Sequence, residues 1–394
     1  MEQNPRRLYF IDAMRAWAIL MMLQGHFVDG LLDPVFRDRS NMVYLVWEYF
    51  RGITAPVFFT VSGFIFTYLL IRVPQLGLDN PRVNKGLKRG LQLVFIGYLL
   101  RSNLFGLLQG EIYASTYLVD VLQCIGLSII GIIGMYLLTA GKRKWMFPAL
   151  LLVSTAVLFI LEPAYKQLSY PLLPDALENY LSKVNGSVFT IIPWFGYSAF
   201  GAFLAVLFNR FKNARYLYPS AIGASLLAGA ALSYSSPVFA GLAQLSGVGI
   251  FQDIFTNNYL FIRLGNVLVV FAIFMLLRNF LKNATLLKLG QNTLAIYVIH
   301  FVVLYGSLTG LGLYYYLHHS LTPAIAIPGA IAFMVLCSFA ALRYDSREAA
   351  IKVWIFDTIR QARQLVEPWL IYTQRLLRLS AERLLRVFGF VKSR

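Results

Sequence analysis

Three ionisable residues near the start of the chain have the spacing to act together. Asp12 and Arg15 lie three residues apart inside an apolar run, and His26 follows eleven residues after Arg15. In a helix, Asp12 and Arg15 share a face and can pair. At 100° per residue, Arg15 and His26 point the same way, roughly 16 Å apart along the axis. A single stripe thus runs Asp12, Arg15, Ile19, Met22, His26. A guanidinium at one end suits an anionic donor, and an imidazole at the other suits proton transfer. The structural alternative is an Asp12–Arg15 pair that only holds helices together, with His26 at the membrane interface. Ionisable groups in apolar spans are costly, which makes them functional candidates.

Other polar residues interrupt the apolar runs farther on. They include Arg101, Asn103, Asp120, Gln123, Arg263, Asn292 and His300. Each alone is more often a helix-packing hydrogen bond, but together they imply a polar cavity. Arg51, Asp120, Gln123, Asn292 and His300 are the expected substrate contacts. Glu48 and Arg51, three apart, are expected to pair at the outer boundary. Trp194, after Pro193, reads as an interface anchor. His318 and His319 have no Cys, Asp or Glu at ligand spacing, so no metal is expected. Cys124 and Cys337 give no disulfide framework. No Walker loop is present, nor a Gly-x-Gly-x-x-Gly between strand and helix, which argues against a nucleotide hydrolase.

The elements that must position these residues are membrane helices. Of the 394 residues, 58% are hydrophobic and 13% charged, against roughly 25% charged in an ordinary soluble domain. A crossing needs about 20 apolar residues. Ten segments qualify: 9–29, 52–71, 91–109, 117–139, 146–162, 188–208, 216–234, 259–278, 291–313 and 322–342. Alternate connections are basic: Arg6 and Arg7; Arg72 to Arg89; Lys142 to Lys144; Arg210 to Arg215; Arg278 to Lys288. The positive-inside rule then puts both termini in the cytoplasm. Span 1 contains Asp12 and Arg15 and no small-residue cleavage site follows, so it is expected to be retained. The expected fold class is an all-α polytopic membrane protein with about ten transmembrane helices, N-in and C-in. Topology and anionic inner-leaflet lipid account for the net charge of +17 without nucleic acid. The tail, 346–394, alternates basic residues with Trp354, Trp369, Leu376, Leu377 and Phe388. It is expected to form an amphipathic basic helix on the inner leaflet, or else a merely solubilising tail.

Several segments resemble a superfamily of polytopic acyltransferases. Arg15 and His26 enclose ten residues, similar to the Arg/Lys-x10-His signature of acyltransferase family 3. Phe10 to Arg15 through His26 also resembles the heparan-α-glucosaminide N-acetyltransferase-like family. So do Ala55-Pro56-Val57-Phe58-Phe59 with Ser62-Gly63-Phe64, and Lys88-Arg89-Gly90 with Gly97-Tyr98. Asp120 to Gly126, Pro193-Trp194-Phe195-Gly196, and Leu289 to Thr293 running to Tyr297 and His300 look like its later blocks. The likeness covers roughly 7–342. It departs at Ala16, where the family usually has Gly, and in residues 30–43, which hold no His.

The resemblance implies a membrane-embedded acyltransferase domain over 1–345, with the tail outside it. It implies transfer of an acyl group, most simply acetyl, from cytoplasmic acyl-CoA to a hydroxyl or amine of an extracytoplasmic sugar, glycan or glycolipid. The catalytic candidates are His26, Arg15 and Asp12. Arg15, Lys85, Lys88 and Arg89 would bind the polyanionic CoA, and His26 would act as general base or as transient acyl carrier. Asn292, Gln123 or Asn103 would stabilise an oxyanion. The expected partners are acyl-CoA, a carbohydrate or glycolipid acceptor and membrane lipid, and a homo-oligomer stays open. The expected location is the bacterial inner (cytoplasmic) membrane, as a multi-pass protein. The rival class is a transporter or flippase for a glycolipid or small solute, which inverted repeats or paired broken helices would favour; the sequence shows neither. A non-enzymatic membrane scaffold is the third.

Overall fold

The computed structural model of the chain describes residues 8–387 apart from 167, 169 and 171. Arg6, Arg7 and Phe388 lie outside the described residues, as do the side chains of Trp354 and Leu377. No strand forms among the described residues; there are only two isolated bridges, Leu32 with Leu321 and Asn103 with Leu308. In lipid each backbone amide needs a partner within its own segment, which a helix supplies.

The helices that frame the site are α1 (Tyr9–Leu31), α2 (Met42–Leu70), α3 (Pro81–Arg101) and α4 (Val121–Thr139). Then come α5 (Met146–Ile160), α6 (Ile191–Arg210), α7 (Leu217–Ser233) and α8 (Ser236–Ser246). The last four are α9 (Tyr259–Leu276), α10 (Ala284–Gln291), α11 (Thr293–Tyr305) and α12 (Pro323–Val387). Their starts carry side-chain caps. The Asn41 carboxamide accepts from the Val43 and Tyr44 amides, Asn80 from Arg82, and Asn283 from Thr285 and Leu286. Such caps satisfy amides that have no partner inside the helix.

The protein is an all-α, polytopic integral membrane protein. Among the described residues five helices are long and apolar enough to cross a membrane, or up to seven if each of two bent pairs is one span. Of the remaining expected segments, α1 carries Asp12, Arg15 and Asp29, α3 has a basic first half, and α5 is short. Two expected spans are corrected. The third starts at Pro81 and stops at Arg101, because Asn103 caps a separate turn at Leu104–Leu108. The ninth is broken: α10 and α11 meet at Asn292 with a 72° bend, and α11 ends at Gly306 with φ 68°. The sequence showed no broken helices; the structure has this one and a second, where α7 and α8 bend by 55°.

Chain contacts divide the protein into two units, Met1–Ala341 and Leu342–Arg394. The second is helical through Val387, with an Arg363–Glu367 pair at 3.6 Å and exposed Trp369 and Leu376.

Within the first unit α2 and α6 approach most closely. Apolar surface gives no net drive between helices in lipid, so small residues at the seam let backbones touch. A Cβ at Gly63 would collide with the Ser198 carbonyl, and one at Gly201 with the Thr60 carbonyl. The two glycines thus face each other's helix backbones. Gly63→Ala is expected to cost about 1–3 kcal/mol of stability, because the intruded atom is backbone and cannot rotate away. Gly134→Ala, with open space around it, is the control. Thermal unfolding in detergent checks this, and equal melting of both variants would contradict the seam.

Candidate active site

The Arg15 end of α1 is built by a close helix contact. A Cβ at Gly290 would collide with the Asp12 backbone carbonyl, so only Gly lets the end of α10 sit there. That brings the α10–α11 bend to α1, and the Arg15 Nη2 donates to Thr293 Oγ1 at 3.0 Å. Asp12 is buried, and Arg15 lies within electrostatic reach of both Asp12 and Arg89. Arg89 also donates to Gln92 at 3.1 Å, while Lys85 and Lys88 are exposed on the same helix. Asn292, at the bend, belongs to this end and lines neither cavity described below. Thr293 was not singled out from sequence, although it sits in the block ending at His300.

At the other end of α1, His26 Nδ1 and His300 Nε2 share one hydrogen bond, N to N 3.1 Å. The tautomers decide which ring donates. His300 is fully buried, and its ring lies against the backbone of Tyr297 and Ile296, one turn back on α11. The Tyr297 ring stands edge-on to it, centroids 4.9 Å apart. Sequence placed both histidines in polar positions but did not pair them.

Two cavities meet at His26. The larger, about 550 Å³, is also lined by Arg101, Asn103, Asp120 and Tyr305. The smaller, about 370 Å³, is lined by Arg51, Lys183, Trp194, Tyr259 and Arg263. His26, Asp29, Val188 and Phe189 line both. These volumes are of the size that holds a small ligand.

Several expected roles change. Arg101 pairs with Asp120 at 2.7 Å, so the charge of Asp120 is already countered where it lines the larger cavity. Gln123, expected to contact substrate, lines neither cavity. It is fully buried, its Oε1 accepts from the Asp120 amide at 3.2 Å, and its side chain packs where a Cβ at Gly97 would sit. Asp120 and Gln123 form a capping box that starts α4, a pattern readable as Asp-x-x-Gln. Glu48 and Arg51 do not pair with each other. Arg39 holds Glu48 in a two-pronged bond at 2.8 and 3.0 Å, and Arg51 pairs with Asp29. The Arg51 stem packs beside Gly25 of α1. Asn103 spends its carboxamide oxygen on the Phe105 and Gly106 amides while lining the larger cavity.

Trp194 is more than an interface anchor. It packs against Phe189, Phe59 and Tyr197 with centroids 4.7, 5.1 and 5.6 Å apart, and forms part of the smaller cavity wall. Lys183 was also missed, since it lies in the long connection before α6, where no periodicity marks it. Among the described residues no group of three His, Cys, Asp or Glu side chains could hold a metal ion.

Comparison with curated proteins gives no match. The family model of acyltransferase family 3, an acyltransferase domain, matches residues 8–343. That interval holds α1 to α11 and every cavity-lining residue named above. The chain belongs to acyltransferase family 3, and the protein is a membrane acyltransferase.

Proposed function

We propose that the protein moves an acyl group, acetyl in the simplest case, from acyl-CoA on the cytoplasmic side to an acceptor on the far side. The acceptor is a hydroxyl or amine of a sugar, glycan or glycolipid. The observation that carries this reading is the His26–His300 bond at the junction of two cavities, on the helix that also holds Arg15. The order of sequence blocks from Phe10 to His300 supports a narrower kinship with heparan-α-glucosaminide N-acetyltransferase-like proteins. The basic connections support the N-in orientation and a bacterial inner membrane as location.

For His26 to act as base, its Nδ1–H donates to His300 Nε2, which leaves the Nε2 lone pair for the cavities. The acceptor's O–H or N–H gives its proton to that nitrogen as the heteroatom attacks the thioester carbonyl carbon. The carbonyl π pair moves to oxygen and returns as the C–S bond breaks. The CoA thiolate takes the proton from His26, leaving acylated acceptor and free CoA thiol. His300 acts through His26: it fixes the tautomer and holds the ring. An acyl-histidine route would use the same Nε2 as nucleophile, and ping-pong kinetics would mark it. Arg15, braced by Thr293 and Asp12 and close to Arg89, suits a CoA phosphate. Exposed Lys85 and Lys88 extend the same positive surface.

The two broken helices are a feature shared with transporters. Here the sharper bend seats Thr293 on Arg15, which serves the donor end of the proposed site. Exchange of labelled CoA into acetyl-CoA by the purified protein, with added acceptor, separates the two readings.

His26→Ala is expected to lower kcat by at least about 10²-fold, the usual worth of a general base, with folded yield and Tm kept. Residual activity above about a tenth of wild type would remove His26 from the chemistry. His300→Phe is expected to lower kcat by about 10–100-fold with the acyl-CoA KM unchanged, as loss of one buried hydrogen bond implies. His300→Gln, whose Oε1 can still accept from His26, restores part of it. Arg15→Ala is expected to raise the acyl-CoA KM more than the acceptor KM. An unchanged donor KM with collapsed yield would make Arg15 purely a partner of Thr293 and Asp12. Orientation has its own check. A cysteine placed at Asn84 is expected to resist membrane-impermeant labelling in intact cells. Both native cysteines are buried, so any labelling would report Asn84 and reverse the topology.

A further inference from the structure

We infer that the acceptor carries an anionic group, a carboxylate or a phosphate, held in the smaller cavity by Arg263 and Lys183. This deepens the acyl-transfer reading, on which it rests for naming the anion's bearer as the acceptor.

Two cationic side chains of that cavity have no hydrogen-bond acceptor among the described residues. Arg263 projects from α9 and its guanidinium lies over Gly52, where any Cβ would collide with it. The room needed to hold an arginine there is thus built into α2. Arg263 is half-buried, and neither its side chain nor that of Lys183 makes a hydrogen bond or close ion pair among the described residues. Both residues line one cavity, together with His26.

The nearby carboxylates are already engaged. Asp29 pairs with Arg51 and Glu48 with Arg39. Glu162 accepts from the Tyr259 hydroxyl at 3.0 Å and faces Lys166 at 3.5 Å. Glu162 reaches Lys183 and Glu48 reaches Arg263 only through longer-range attraction, so the cavity keeps two cations with no carboxylate in direct contact. Donors removed from water without acceptors are costly. A neutral sugar hydroxyl would leave both cations without a counter-charge in contact. An anionic group supplies one, through charge-assisted bonds that are about twice as strong as neutral ones. The CoA phosphates are the other anions of the reaction. Their proposed seat is Arg15, roughly 16 Å down the helix from His26, so the anion at this end belongs to the second substrate.

The test uses the full-length protein in phosphatidylcholine nanodiscs and equilibrium binding of glucose 1-phosphate, glucuronate and glucose. Wild type is expected to bind at least one anionic sugar about tenfold or more tighter than glucose. Arg263→Gln and Lys183→Gln are each expected to erase most of that preference without changing the weak affinity for glucose. Arg263→Lys, which keeps the charge, should restore part of it. Melting of each variant is measured alongside. Lys183→Gln, at an exposed connection, reads the site if Arg263→Gln does not fold.

Equal binding of glucose and both anionic sugars, or no binding of either anion, overturns the proposal. So does an anion preference that survives both glutamine variants. Inorganic phosphate binding as tightly as glucose 1-phosphate would show a simple anion site and sink the acceptor assignment. Displacement by adenosine 3′,5′-bisphosphate would sink it too, by placing donor phosphates there. Acetyl-CoA binding is measured on the same preparation. Its absence would count against the acyl-transfer reading, while the sugar contrast still reports on the anion site.

Discussion

The contact on which the site depends is the hydrogen bond between the fully buried His300 imidazole and the His26 imidazole, which reaches the cavities. His300 has no water to fall back on, so losing its His26 partner would be costly. The bond ties α1 to α11, and a second tie, Arg15 to Thr293, fixes their register. From Thr293 to His300 a helix rises about 10 Å, and from Arg15 to His26 about 16 Å. The difference is close to what an extended arginine side chain spans. The two ties also require α1 and α11 to run in the same sense. If each crosses the membrane, an odd number of crossings separates them. The seven further spans read from the sequence between 52 and 278 satisfy that parity.

Part of this was legible in one dimension. Helical periodicity put Asp12, Arg15 and His26 on one stripe, because those relations lie within a single element. The caps at Asn80-Pro81 and at Asp120 to Gln123 are equally local. Overlooking them placed the third span ten residues late and lent Gln123 to a substrate. The His26–His300 bond could not be read the same way, since it joins residues 274 apart. The sequence shows only that both are polar among apolar neighbours. Glu48 and Arg51 show the opposite error. A spacing of three permits a pair, but it does not exclude Arg39 and Asp29, which compete from outside the helix. The break at Asn292 carries no proline, so its only trace is the glycine at 290, which the contact with the Asp12 backbone explains after the fact.

The electrostatics of the two cavities then become intelligible as a division of labour around one imidazole. On one side Arg101 and Asp120 neutralise each other, so the larger cavity can admit an uncharged group without opposing it. On the other side Arg263 and Lys183 have no carboxylate in direct contact among the described residues, and Glu48 and Glu162 act on them only at longer range. A positive field near the reacting carbonyl favours the negative charge that develops on its oxygen. In the proposed base mechanism the same field opposes the imidazolium that His26 becomes as it takes the acceptor's proton. A negative group entering with the acceptor would relieve that opposition, at the cost of part of the field that favours the oxyanion. An acceptor lacking that group would reach His26 with the field uncompensated. Discrimination among acceptors would then arise from charge balance in the transition state, and not from shape alone.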